Sequence, residues 1–391
     1  MHFFSAYSLV FLTTSIIAHW VMYRWALASF PPALRHRRGL AIATVVLVAM
    51  QPITRAMMQL HQSIPEAFYV ATLLEFLTVA IASLPIGLVR LATGTRPRAG
   101  PGVLPCVPEE RAAAMTRRQT LEGAVGVGFL GATGSLIGWG AVRGRHAFEI
   151  EEVVVRIAGL PRALDGYTIA HVSDIHTGLC MDDRDLALGM SRVAEIRPDM
   201  LVATGDLVDF DADYARLVAR KLSDVGARDG TFAILGNHDY YAGADAVVDA
   251  LRKGGVDMLV NDGRRVRPGD GGGFALLGVD DFWAARFGSA GPDLARAIAM
   301  VPPDAPRILL SHQPKTVDLW KGQVALQLSG HTHGGQINPG FRPAALFMKY
   351  LAGRYEVAGT TLYVNRGFGT AGPPSRVGAP PEVTKVILVS A

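Results

Sequence analysis

Five short blocks hold most of the side chains able to do chemistry: "SDIHTG" (Ser173–Gly178), "GDLVD" (Gly205–Asp209), "GNHDYY" (Gly236–Tyr241), "SHQP" (Ser311–Pro314) and "GHTHGG" (Gly330–Gly335). They supply Asp174, His176, Asp206, Asn237, His312, His331 and His333, all oxygen or nitrogen donors suited to hard or borderline divalent cations. Each block alone has a bland explanation. A "GD" after a strand is ordinarily a turn, "NHD" can open a helix, and a lone histidine is more often a surface or hydrogen-bonded residue than a ligand. Recurrence at successive strand ends changes the balance. Seven donors are too many for one catalytic ion that must keep a position open for water, but they suit two ions sharing a carboxylate. A water between two cations loses its proton near neutral pH and becomes a nucleophile. No covalent nucleophile is required, and the chain offers no suitable cysteine or activated-serine motif.

Something must bring these blocks together. Apolar runs such as "YTIAHVS", "DMLVATG", "TFAILGN", "RILLSH" and "VALQLSG" precede them and suit buried strands. Amphipathic stretches at Arg184–Glu195, Tyr214–Leu222 and Ala244–Lys253 suit the helices between, which makes the region a layered α/β domain. In such sheets the carboxyl ends of neighbouring strands open onto one crevice, where donors far apart in sequence can converge. The glycines permit tight turns there. An extended His331–Thr332–His333 segment would send its two imidazoles in different directions, one to each ion.

The order D-x-H, GD, GNH(D/E), H, GHxH resembles the signature of the calcineurin-like metallophosphoesterases, with every block present over most of Tyr167–Gln336. "GVDD" (Gly278–Asp281), "SHQP" and "VNRGFGTAG" (Val364–Gly372) are similar to the membrane-associated bacterial branch typified by the YkuE and YaeI phosphodiesterases. The resemblance implies a four-layer α-β-β-α sandwich. It implies one ion on Asp174, His176 and His333, another on Asn237, His312 and His331, and Asp206 bridging them, the ions being manganese, iron or zinc. His238 would lie outside the ligand set and face the phosphate, protonating the leaving oxygen or stabilising phosphoryl charge, with Asp239 orienting its imidazole. Tyr240, Tyr241, Phe282 and Trp283 either contact substrate or simply pack. Asp280 and Asp281 would stand behind the ligands, Arg366 would meet phosphate or a surface acid, and Asp209 would cap the segment that follows it.

The first third of the 391 residues is much the more apolar. Segments near Phe3–Ala26, Gly39–Ile53, Ala67–Leu91 and Gly123–Val142 approach the roughly 20 apolar residues that cross a bilayer as helix. The second carries Gln51 and Pro52, the third carries Glu75, and glycines such as Gly134 and Gly138 in the fourth have the spacing of close helix packing. Arg24, Arg35, Arg37 and Arg38 mark the first connection as cytoplasmic, and Arg90, Arg96, Arg98, Arg111, Arg117 and Arg118 mark the third. Four spans then leave everything after Arg143 on the periplasmic or extracellular face. "TRRQTLEGAVGVGFLGA" also resembles an internal twin-arginine export signal. A formal charge of only +4, with arginines clustered early and no basic aromatic stripe later, gives no reason to expect nucleic acid. Cys106 and Cys180 support neither a disulfide framework nor a thiolate site.

The expectation is therefore a multi-pass all-α membrane region over 1–145 and a metallophosphoesterase domain over 146–391. Its function would be hydrolysis of phosphodiesters or phosphomonoesters, on phospholipids or lipid-linked substrates. The alternative is a membrane receptor or scaffold that binds metal and phosphate without turnover. A transporter is disfavoured by too few spans.

Overall fold

A computed structural model describes residues 2–59, 65–92 and 115–391. Arg96, Arg98, Arg111, Cys106 and the segment Thr93–Pro108 lie outside these residues. The chain divides into two compact units, Met1–Trp139 and Gly140–Ala391.

The first unit is helical: α1 (His2–Ser29), α2 (Pro31–Arg35), α3 (Arg37–Gln59), α4 (Glu66–Ala92) and α5 (Arg117–Val142), the last running on into the second unit. Each expected span falls within one long helix. Among the described residues, two helical stretches, Ala67–Ala92 and Arg117–His146, are long and apolar enough to cross a membrane. Two of the polar side chains on these helices reach partners on a neighbouring helix. Gln51 Nε2 donates to Thr72 O at 2.6 Å, and Glu75 Oε1 lies 2.8 Å from Nε2 of the buried His19. Close helix approach occurs at Gly126, where a Cβ would collide with the Trp25 ring, while Gly138 faces open space.

The second unit holds twelve strands: β1 (Glu149–Ile157), β2 (Tyr167–Val172), β3 (Met200–Thr204), β4 (Thr231–Ile234), β5 (Asp257–Met258), β6 (Asp262–Val266), β7 (Phe274–Gly278), β8 (Arg307–Leu310), β9 (Leu326–Ser329), β10 (Gly353–Val357), β11 (Thr360–Val364) and β12 (Glu382–Ser390). They form two six-stranded sheets, ordered β1-β12-β2-β3-β4-β5 and β10-β11-β9-β8-β7-β6. The central strands read as continuous apolar runs because both faces are buried, and the period of two decides which core each residue joins. Ile169, Met200, Val202 and Ile234 meet Leu276, Ile308, Leu310 and Leu328 between the sheets. Their neighbours Ala170, Leu201, Ala203 and Ala233 face the opposite way, into a cluster with Leu186, Val193, Val218 and Leu251. On the far side, Ala275, Leu277 and Leu309 pack on Leu294 and Ala297 of the helix Leu294–Ala299. The result is the four-layer α-β-β-α arrangement.

The covering helices follow from local sequence. In Asp183–Glu195, the Asp182 side chain accepts from the Asp185 amide at the N-terminus, and Leu186, Met190 and Val193 place one apolar stripe on the sheet. Each such burial contributes about 1.5–3 kcal/mol. Ala215–Ser223 and Ala244–Lys253 repeat the pattern with Val218 and Leu222, and with Val247 and Leu251. Strands β2, β3 and β4 are mutually parallel, as are β7, β8 and β9. Within each sheet their carboxyl ends therefore point the same way.

Candidate metal centre

All five chemical blocks begin where one of these strands ends: Ser173 after β2, Gly205 after β3, Gly236 just past β4, Ser311 after β8 and Gly330 after β9. The backbone turns sharply at these points. Asp174 (φ 55°), His176 (φ 50°), Asp206 (φ 51°), His331 (φ 70°) and His333 (φ 51°) all occupy the left-handed region, which is sterically costly for side chains other than glycine. Five such residues in one place is the kind of local strain that a surrounding fold maintains at a functional site.

The turns gather the donors. Nε2 of His176 and Nε2 of His333 lie 3.1 Å apart, and Oδ1 of Asp174 is 3.3 Å from the latter. Nδ1 of His331 and Nε2 of His312 lie 3.1 Å apart, with Asp206 Oδ2 3.3 Å from His312 Nε2 and 3.6 Å from His176 Nε2. Asp174–His176–His333 and Asp206–His312–His331 thus form two groups able to hold a cation, and a third, His176–Asp206–His238, spans them. Asp206 stands between the groups.

Several details fit divalent ions there. Asn237 Oδ1 is buried with no hydrogen-bond partner among the described residues, a condition that costs about 1–3 kcal/mol unless something satisfies it. His312 Nδ1 lies 2.8 Å from Thr204 O, and His176 Nδ1 3.3 Å from Asp209 Oδ1. Donation of both Nδ1 protons leaves each Nε2 lone pair turned toward the gathered donors. Burial alone would raise the Asp206 carboxyl, yet the His312 and His238 imidazoles hold it well below the usual carboxylate range.

His238 is also placed closely. Its backbone N–H donates to Asp206 Oδ1 at 2.8 Å, and its Nδ1 lies 2.8 Å from Asp209 Oδ1. Burial works against its positive charge, but Asp206 and Asp209 raise its pKa to about 9. Asp239, expected to orient this ring, is occupied elsewhere. Its carboxylate accepts from the amides of Leu207 (2.9 Å), Val208 (3.1 Å) and Gly236 (2.8 Å), tying the turn after β3 to the helix Asn237–Ala242. Burial and the Asp206 charge push Asp239 up to about 7. The residue on the His238 ring is Asp209, not the cap it was expected to be.

Tyr240 donates to Asp280 at 2.6 Å, while the Tyr241 and Phe210 rings flank His238 at 5.0 and 5.2 Å. Asp281 accepts from Gln313, beside His312. Arg366 meets acids, not an open crevice: its guanidinium reaches Glu149 at 3.0 Å, Glu151 at 2.9 Å and Glu382 at 3.0 Å. The segment around Thr332 (φ −89°, ψ −15°) is a tight turn, so His331 and His333 diverge through left-handed backbone and not through strand alternation. Arg376, which belongs to none of the sequence blocks, is fully buried. It donates to the carbonyls of Arg366, Gly367, Gly369 and Ala379, and its Nη2 lies 3.3 Å from His333 Nδ1. Burial lowers its pKa to about 9.

Two facing sheets whose strand ends gather aspartate, asparagine and histidine into adjoining clusters define a metallophosphoesterase fold. The family model described as calcineurin-like phosphoesterase matches residues 167–335. YkuE of Bacillus subtilis, an uncharacterized metallophosphoesterase, is 32% identical over 289 residues, covering 71% of this chain and 98% of that protein. A transmembrane protein with metallophosphoesterase domain from Danio rerio is 33% identical over 268 residues, covering 66% of this chain and 61% of that protein. An uncharacterized metallophosphoesterase of Campylobacter jejuni is 37% identical, covering 60% of this chain and 62% of that protein. This chain belongs to the calcineurin-like metallophosphoesterase family. It spans about three fifths of the length of the zebrafish and Campylobacter relatives.

Proposed function

We propose that this chain is a membrane-anchored phosphoesterase, in which residues 1–145 anchor and residues 146–391 hydrolyse phosphodiesters or phosphomonoesters. The observation that carries this reading is the meeting of two donor clusters at Asp206, with His238 beside them. Asp174, His176 and His333 would hold one divalent ion and Asn237, His312 and His331 the other, with Asp206 shared; manganese, iron and zinc all suit the mixed nitrogen and oxygen set. Bound there, two such ions would neutralise phosphate oxygens and acidify water.

The chain's own groups do the rest. Asp209 holds His238 by Nδ1, so Nε2 is the ring nitrogen left to carry a proton for the leaving oxygen. Phe210 and Tyr241 confine that imidazole from its sides. The substrate is a phospholipid or lipid-linked phosphoester in this reading, supported by the span-length helices and the zebrafish relative's transmembrane description. The arginines of the first connection favour an extracytoplasmic catalytic domain. No nucleic-acid substrate is expected.

The test offers p-nitrophenyl phosphate, bis-p-nitrophenyl phosphate and phospholipid to the manganese-loaded full chain, beside Asp206→Asn and His238→Ala. Wild-type turnover should fall about 10²- to 10⁴-fold in His238→Ala. Full metal occupancy without turnover of any ester would replace this reading with the binding-only receptor. For orientation, a reporter active only in the periplasm, fused after Ala391, should give signal; a cytoplasm-only signal would reverse the topology.

A further inference from the structure

Past the histidine turn the chain enters a loop, Ile337–Lys349, whose tip presents large apolar side chains to solvent. Phe347 is 88% exposed and Leu346 79%, more than any other large apolar residue described in the second unit, with Phe341 at 64% and Met348 at 40% beside them. Single exposed hydrophobics need no explanation, but four within one short loop form a patch of the kind that meets a partner. A 3-10 turn, Pro343–Leu346, sets the shape of the tip.

Both ends of the loop are pinned to the metal clamp. Asn338 Nδ2 donates to Gly334 O at 2.9 Å and to Gly378 O at 3.2 Å, and Thr332 Oγ1 donates to Leu351 O at 2.6 Å. Gly335 lies against Ala344, whose methyl would be 3.1 Å from an added Cβ. A force on the tip is therefore felt at Thr332 and Gly334, on either side of His333.

Charge selects among partners. The loop's only ionisable groups are Arg342 and Lys349, with no acid between Ile337 and Tyr350. Lys349 is paired with Asp318 at 3.0 Å, whereas Arg342 is exposed and forms no ion pair among the described residues. Aromatic and aliphatic side chains with a neighbouring unneutralised arginine match the boundary between anionic headgroups and acyl chains. The span-length helices of the same chain give it a bilayer to meet.

We propose that the tip Phe341–Met348 inserts into the interface of an anionic bilayer and seats the metal centre at the lipid surface. This rests on the membrane-anchoring part of the proposed function and not on turnover.

The experiment uses the full chain with both native cysteines replaced by serine and a nitroxide at Phe347→Cys. It is reconstituted into vesicles of phosphatidylcholine, alone or mixed with phosphatidylglycerol. Relaxation by oxygen against a water-soluble nickel chelate reports depth, with a label at Arg216→Cys, whose parent side chain is 77% exposed, as the aqueous reference. The label at 347 should be lipid-accessible, and Arg342→Gln should lower its inserted-to-aqueous ratio about fivefold on phosphatidylglycerol vesicles only. A label as aqueous as the reference in both vesicles overturns the proposal. So does dipolar broadening between labels, which would assign the tip to a second copy of the chain. The triple variant Phe341→Ser, Leu346→Ser, Phe347→Ser should keep its metal and its turnover of bis-p-nitrophenyl phosphate, while losing about tenfold on vesicle-presented phosphoester. Insertion without any turnover would sink the phosphoesterase reading alone; turnover with an aqueous label would sink the docking alone.

Discussion

Asp209 Oδ1 lies 2.8 Å from Nδ1 of His238 and 3.3 Å from Nδ1 of His176, so one carboxylate holds the same ring atom of two imidazoles from different strand-end blocks. Both rings are thereby fixed in orientation and tautomer, each with Nε2 available. Removing the carboxylate should loosen both. Asp209→Ala is expected to lower turnover about 10- to 100-fold, the usual cost of losing a group that orients a ligand or catalytic imidazole. Asp209→Asn should fall between it and wild type. Steady-state rates alongside metal analysis check this, and a fully metallated, fully active Asp209→Asn would show the charge to be idle.

His331 and His333 belong to different donor clusters although only Thr332 separates them. Alanine at either position should therefore remove about half of the bound metal, and alanine at both nearly all of it. Elemental analysis after gel filtration reads this directly. Loss of all metal from His331→Ala alone would mean that the clusters load as one unit.

Gly205 precedes Asp206 with φ 87°, and a Cβ there would stand 2.6 Å from the Gly236 amide nitrogen. Gly205→Ala combines a disfavoured backbone conformation with that collision, and should cost about 1–3 kcal/mol. Because the displaced neighbours are Asp206 and the turn leading to Asn237, metal affinity should drop along with the melting temperature. A stable variant with wild-type affinity would show that the turn relaxes freely.

Asp229 joins both sheets, accepting from Tyr167 Oη at 2.8 Å and Arg267 Nε at 2.7 Å. Burial would raise its carboxyl, but Arg267 and Tyr167 hold it below the ordinary aspartate value. A depressed folded-state pKa stabilises above the unfolded value of roughly 3.9, and that stability is lost as pH falls through the folded value. Asp229→Asn should thus be about 2 kcal/mol less stable near neutrality, with the gap closing only in acid. Melting curves of both chains between neutral and acidic pH test the sign; a gap that widened in acid would contradict it.

The strand-end blocks were legible because β2, β3, β4, β8 and β9 are buried on both faces and read as apolar runs, which makes the polar residues after them conspicuous. The helix Ala244–Lys253 was legible for the complementary reason: its apolar stripe recurs with helical period. Backbone hand was not. Nothing in "HTH" announces a left-handed His331 and His333, because such conformations are imposed by what the turn must fit around. Asp209 and Asp239 are chemically identical, and only the path of the chain decides which of them meets His238. Arg376 belongs to no donor pattern, since its role comes from the carbonyls that surround it. In the helical unit, hydrophobic length alone gave four candidates, and two of the helices meet a span's length and composition among the described residues.

Strand β12 is inserted between β1 and β2, parallel to the first and antiparallel to the second. Lys385 of β12 and Glu152 of β1 meet across 233 positions of sequence. During synthesis, β1 and β2 emerge long before the strand that must separate them, and contacts of such range form slowly. Glu382, which accepts from Tyr363 and meets Arg366, arrives in the same late segment. A ribosome stalled before β12 would therefore carry every histidine of the two clusters and still hold an unfinished first sheet.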